Sequence, residues 1–217
     1  MLMATRPLDA AAPVAPDRGG SAPPRLQLHR AGDPARAQVE DFIAGVFVRR
    51  FGASVTSFAP VLVTLSDPDD GQIAAAAGYR AAAEGPLFLE SYLDGPVESV
   101  LAQHVAMPPA RGEIVEVGHL AATRAGAGRQ LMVHLGQHLA RERYRWIVCT
   151  LTQELRHLLP RLGITPLALA RADAAALAGG AVAWGSYYEH GPVVLAGDLA
   201  PALRRYRQRL PGRGDVA

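Results

Sequence analysis

The 217-residue chain is 49% hydrophobic and only 6% aromatic, enough for one ordinary core with some tail to spare. Its 22 basic residues are all arginine, which excludes a Schiff-base or P-loop lysine. Five of them, Arg204, Arg205, Arg207, Arg209 and Arg213, crowd the C-terminus, so the body is near neutral and nucleic-acid binding has no general electrostatic support.

Residues 1 to 24 are Ala, Pro and Gly with scattered charge, and the expectation there is disorder. Prolines and acids stand where a signal peptide needs an apolar run, and no stretch approaches the ~18 residues of a membrane span. With a single cysteine, Cys149, unable to form an internal disulfide, the cytosol is the expected compartment. Residues 25 to 200 read as one domain and 201 to 217 as an Arg-rich tail. Arg25 to Arg30 alternates as a short strand. Asp33-Pro34 then opens a helix whose Val39, Phe42, Ile43, Val46 and Phe47 recur at helical spacing up to Gly52. Pro60 to Ser66 reads as a buried strand, Asp67 to Gly71 as a tight turn and Gln72 to Ala82 as its hairpin partner. Leu87 to Leu93 is a short apolar stretch interrupted by Glu90, and Pro96 starts a helix, VESVLAQHV. Glu113 to Ala122 alternates as a strand, Ala127 to Arg143 is helical, and Trp146 to Leu151 is an apolar strand. A helix over 154 to 162, a strand over 167 to 170 and a strand-like PVVLAG after the Trp184 aromatic cluster complete the chain. This order argues an α/β fold with a mixed, mostly antiparallel central sheet flanked by helices.

The strongest chemical signal is the turn Thr123-Arg124-Ala-Gly126-Ala127-Gly128-Arg129-Gln130 between a strand and a helix striped by Leu131, Leu135 and Leu139. Glycines let backbone approach a ligand, and the helix amides and dipole favour a phosphate. Arg124 or Arg129 would add a charge-assisted contact. Leu131 stands where a dinucleotide fingerprint needs its third glycine, and an ordinary Gly-rich turn is an equal alternative.

This turn, followed by a strand and Arg161-Leu-Gly-Ile164, resembles the Gcn5-related N-acetyltransferase superfamily, with Thr123 at the usual Gln/Arg position. More narrowly, LFLESYLDGPVE (87 to 98), IVEVGHLAA (114 to 122), RLGITPLALARAD (161 to 173) and WGSYYEHGPVVLAGDL (184 to 199) are similar to the thermostable hemolysin family. A looser similarity links the chain to acyl-homoserine lactone synthases, whose Glu-x-x-Arg is here Glu116-Val-Gly-His119. These resemblances imply an acyl-CoA N-acyltransferase-like fold and a donor site for acyl-CoA or a phosphopantetheine-linked acyl carrier protein at Gly118, Leu120, Ala121, Arg124, Gly126, Ala127, Gly128, Arg129 and Gln130. The tyrosine that many acetyltransferases use as general acid is replaced by Leu159.

Glu116, between Val115 and Val117, is a candidate general base with a pKa raised by burial, or else an outward-facing strand residue. Glu90 is either a substrate reader or a surface acid. His119 is an intermediate candidate: on a regular strand it faces away from Glu116, and only a bulge, which Gly118 permits, would let them act together. His134 and His138 sit four apart without an acidic or Cys partner, so no metal site is expected. Phe88, Trp184, Tyr187 and Tyr188 would, with Leu87, wall an apolar substrate pocket suited to a fatty acyl chain, one of the adjacent tyrosines packing and the other lining it; core or dimer packing is the alternative, and a homodimer is left open. Three functions compete. The leading one is an N-acyltransferase that moves a medium or long acyl group to the amine of an amino acid or small metabolite. The second is a membrane-active cytolysin using the helical spacing of Leu199, Leu203, Tyr206 and Leu210 among arginines. The third is a non-catalytic carrier-protein-binding module.

Overall fold

The computed structural model describes residues 25–68, 70–177 and 182–209; the expectations for the first 24 residues and for the last part of the tail lie outside these. Seven strands form one sheet in the order β1-β2-β3-β4-β5-β7-β6: β1 (Leu26–His29), β2 (Val61–Ser66), β3 (Ile73–Ala81), β4 (Ile114–Ala122), β5 (Trp146–Leu151), β6 (Leu167–Arg171) and β7 (Val193–Asp198). Only β4 and β5 run parallel; every other neighbouring pair is antiparallel, which is the mixed, mostly antiparallel sheet expected.

The alternation of each strand decides which helix it serves. Val61, Val63 and Leu65 of β2 and Ala75, Ala77 and Tyr79 of β3 pack with helix α3 (Ala127–Arg141), through Leu131, Leu135 and Leu139, which are 0%, 2% and 0% exposed. Leu62 and Ala76, on the other face, pack with Val39, Ile43, Phe47 and Phe51 of helix α1 (Arg36–Phe51). Asp33 accepts from the Ala35 amide at 2.8 Å just before α1, and Gly52, at φ 64, ends it. Beyond β5 a further cluster joins Leu89, Val97 and Leu101 to Trp146, Val148 and Val194, with helix α2 reduced to Val97–Ala102.

Three segments depart from expectation. The stretch after Leu87 is a 3-10 turn, Phe88–Tyr92. The helix expected over 154 to 162 is α-helical only over Gln153–Arg156 (α4), because Pro160, with no N–H to give, starts a separate 3-10 turn, Pro160–Leu162. The tail does not begin at 201: helix α5 (Leu199–Arg209) packs back onto α3, with Leu199 and Leu203 side chains 3.7 and 3.9 Å from where a Cβ on Gly136 would sit. No helix among the described residues is long and apolar enough to cross a membrane.

Candidate functional site

The site begins with an irregularity in β4. Antiparallel pairing sets Ala76 opposite Ala121 and Gly78 opposite Gly118, so the single residue Ala77 faces two, His119 and Leu120. That is a β-bulge, and His119 carries its strain at φ 54. The extra residue rotates His119 to the side of Glu116, and both line one cavity of about 360 Å³. The bulge coincides with a second break: parallel pairing between β4 and β5 ends at Val117 and Cys149, although both strands continue. A cavity of about 120 Å³, lined by Gly118 to Ala122, Gly128, Met132, Thr150 and Leu155, occupies the divergence. A third, apolar cavity of about 110 Å³ lies beyond it, between the sheet and helices α3 and α5, with Leu120 and Met132 shared between the two.

Glu116 accepts the amides of Phe88 and Leu89, both at 2.9 Å. Burial raises its carboxyl above the ordinary value, and those two amides hold part of the rise back. The His119 Nε2 lies 3.1 Å from the Ser57 carbonyl oxygen, which only accepts, so Nε2 carries the proton and Nδ1 the lone pair. Burial lowers the imidazole's pKa, keeping it neutral, and Nδ1 is buried with no hydrogen-bond partner among the described residues. Gly78 makes that placement possible, since a Cβ there would lie 3.0 Å from Nδ1 and 2.8 Å from the Ala59 Cβ. A neutral base with an unspent lone pair beside a raised carboxyl is an arrangement that can accept a proton from an attacking amine.

The structure gives Glu90 scaffold contacts instead of a place in the cavity. Its oxygens take the Leu87 and Val97 amides at 2.8 and 2.9 Å and an ion pair with Arg111 at 2.7 Å. Burial opposes its ionisation, but Arg111 and the two amides outweigh it and hold the carboxyl below its ordinary value. Arg111 also donates to the Ala82 and Gly85 carbonyls and pairs with Glu98, so the acid fixes the loop whose amides hold Glu116.

At the donor side, α3 starts from Gly126 at φ 81 with no side-chain cap and no acid in its first turn. Gly128 brings that turn close to β4, where a Cβ added to it would lie 3.4 Å from the Ala122 Cβ. The Ala127 amide is taken by the Arg124 carbonyl at 3.3 Å, and the helix dipole with the Gly128 and Arg129 stretch of the turn fits the phosphate of a phosphopantetheine arm. Arg124 is bound elsewhere, to Asp67 and Asp70 of the β2–β3 turn. Arg129 and Gln130 are exposed on the outer side of the helix.

Phe88 meets Trp184 at 5.6 Å between ring centroids, and Trp184 meets Tyr187 at 5.4 Å, so the two aromatic segments do form one wall. The tyrosines separate as expected but for another reason: Tyr187–His190 is a 3-10 turn, not extended chain. Tyr187 lines both polar cavities with its hydroxyl 3.3 Å from the Thr150 carbonyl oxygen, whereas Tyr188 hydrogen-bonds Tyr92 at 2.6 Å. Gly185 at φ 52 presses this segment on α1, where the Ser186 amide reaches the Phe51 carbonyl at 2.8 Å. Among the remaining residues, burial pushes the Cys149 thiol up to about 12, leaving it inert, and the His138 Nε2 pairs with the Tyr79 hydroxyl at 3.1 Å. Sequence reasoning missed Arg80, Gly78, Thr150 and the Ser57 carbonyl. Only Arg80, a charge in an alanine-rich strand, carried a readable signal.

Comparison with known proteins places this geometry in a family. The family model described as thermostable hemolysin matches residues 29–203. Among solved structures, TofI in an apo form is 18% identical at a TM-score of 0.59, the match covering 84% of this chain and 96% of that one. The CoA-dependent acyl-homoserine lactone synthase MesI is 18% identical at 0.53, over 85% and 94%. FeeM, an N-acyl amino acid synthase from uncultured soil microbes, is 15% identical at 0.53, over 86% and 95%. At such identities the likeness is one of fold. No curated protein matches the chain.

Proposed function

We propose, from the premise that the chain belongs to the thermostable hemolysin family, that it is an N-acyltransferase using an acyl-CoA or acyl carrier protein thioester and the amine of an amino acid or small metabolite. The observation that carries this reading is the junction at the β4 bulge. There a glycine-built, uncapped helix start, a cleft between diverging strands, and a cavity holding Glu116 and His119 meet around Gly118 to Leu120. The fold shared with the synthases above supports it.

In this reading the phosphate-bearing arm rests on the first turn of α3 and extends along the cleft. The acyl tail enters the apolar cavity behind Leu120 and Met132, not the aromatic wall, which is left for the acceptor. The amine nitrogen attacks the thioester carbonyl carbon; the C–N bond forms and the C–S bond breaks. Glu116 or His119 takes the proton that the nitrogen loses. That proton then passes to the leaving sulfur, which departs as the thiol, while Tyr187 lines the cleft with its hydroxyl donated to the Thr150 carbonyl at 3.3 Å. Most of the acceleration comes from placing the two reactants.

The test is to incubate the purified protein with acyl-CoA and acyl carrier thioesters and a panel of amines, measuring thiol release and acylated product by mass spectrometry. Amine-dependent thiol release is expected; no turnover with any donor would sink the reading.

A further inference from the structure

We infer that Arg80 anchors the carboxylate of the acceptor, and that the acceptor is an α-amino acid with an apolar or aromatic side chain; this rests on the acyl-transfer reading above. Arg80 stands on β3 directly across from Glu116 on β4, and both line the largest cavity described. Side chains in such a cross-strand pair start about 4.5–5.5 Å apart at Cβ. A guanidinium has five N–H donors. Among the described residues Arg80 spends one of them, from Nη1 to the Pro86 carbonyl at 3.2 Å, and it enters no ion pair, although it is half-buried. A cation with unused donors therefore faces the same space as the carboxyl of Glu116 and the neutral imidazole of His119.

A small zwitterion satisfies both ends of this space. Its carboxylate takes the planar donor fork of Arg80, and its nitrogen is left beside Glu116 and His119, where the proton must be removed. An amine without a carboxylate leaves the arginine's donors without that partner. The aromatic part of the lining, Phe88, Tyr92 and Trp184, offers ring faces and edges with centroids 5.6–5.9 Å apart, so it suits an apolar or aromatic side chain and penalises a charged one. Fixing the carboxylate also fixes the line of approach of the nitrogen, so the anchor acts through binding and orientation, and its charge also favours the unprotonated forms of Glu116 and His119.

The experiment pairs phenylalanine with phenethylamine and leucine with 3-methylbutylamine, in wild type, Arg80→Gln and Arg80→Lys. It measures kcat and KM for acyl transfer, and donor-free binding by calorimetry. Wild type is expected to favour the amino acid roughly 10- to 100-fold in kcat/KM, the range of a charge-assisted hydrogen-bonded pair. Arg80→Gln should bring the ratio close to one, mainly through a higher KM for the amino acid, and Arg80→Lys should keep an intermediate ratio. Equal use of both partners by wild type, or an equal loss for both in Arg80→Gln, would overturn the anchor while acyl transfer stands. Amino-acid binding that Arg80→Gln abolishes, with no amine ever acylated, would uphold the anchor and overturn the transfer reading. Absence of both turnover and binding overturns both.

Discussion

Replacing Glu116 with Gln removes a charge and a proton acceptor while keeping the size and one of the two oxygens that the Phe88 and Leu89 amides use. If Glu116 is the base, kcat should fall by about 100-fold or more, with a much smaller change in donor KM. The pH profile identifies the group. Burial raises the Glu116 carboxyl and lowers the His119 imidazole, so their ordinary values are drawn toward each other. Activity requires the unprotonated form of either group, so kcat/KM should show a rising limb as pH passes through the raised carboxyl value, in addition to the limb set by deprotonation of the free amine. Loss of the carboxyl limb in Glu116→Gln, measured across that range, checks the assignment. Stability has the opposite sign. A carboxyl whose folded pKa is raised holds its proton more tightly in the native state, so its contribution is present at low pH and is lost as pH rises through that value. Denaturant midpoints of wild type and Glu116→Gln against pH should therefore diverge in the acid range. Gly78→Ala tests His119 from its other side. The new Cβ would meet Ala59, His119 and Leu62 at 2.8–3.1 Å, so a loss of about 1–3 kcal/mol and a displaced imidazole are expected, read by melting and by activity.

At the scale of elements, two devices make the site: the bulge in β4 and the glycine start of α3. Gly126 sits at φ 81, where a Cβ would meet nothing but the backbone would be strained. Gly126→Ala should cost about 1–2 kcal/mol of stability. If the donor is held by amides of that turn, it should also raise the KM for the thioester several-fold while leaving kcat within about threefold. Titration of the donor and urea melts separate the two effects. The residues that build these devices were readable to different depths. The Gly126-x-Gly128 turn and the leucine stripe of α3 are local patterns, and sequence carries them directly. The bulge is not local. It exists because β3 pairs on both sides of His119 in registers one residue apart, and pairing partners 40 residues away leave no mark on the β4 sequence beyond the permissive Gly118. The same limit explains Glu90. Its partners Arg111 and Val97 come from two other elements, so an acid on an apolar stretch looked like chemistry when its work is to hold a turn. Conversely, the break at Pro160 was legible from a single residue, yet the expected helix over 154 to 162 ran through it; the α-helix stops at Arg156 and a 3-10 turn starts at Pro160.

Across the whole molecule, the three cavities follow the divergence of β4 and β5, and α5 closes the far end. Leu199 is buried, Leu203 packs over Gly136, and Tyr206 lines the apolar cavity. The amphipathic spacing that suggested a membrane-seeking tail is thus used inside the protein through Leu199, Leu203 and Tyr206, while Arg204, Arg205 and Arg207 are exposed and Arg209 donates to the Pro160 carbonyl at 2.6 Å. Sequence could show the stripe but not what covers it, because a helix that packs on its own domain and one that packs on lipid have the same periodicity. This arrangement separates the acyltransferase reading from the membrane-active one. If α5 walls an acyl cavity, Ala202→Phe should fill part of that cavity and shift donor preference toward shorter acyl chains, by about tenfold or more between the longest and shortest thioesters accepted, with the short-chain rate largely kept. If α5 instead acts on membranes, it must first leave α3, and purified protein alone should release dye from liposomes. The acyltransferase reading requires the reverse: intact vesicles with protein alone, any leakage depending on thioester and amine both being supplied. Leakage without substrates, at protein concentrations where the fold remains intact by circular dichroism, would overturn that account.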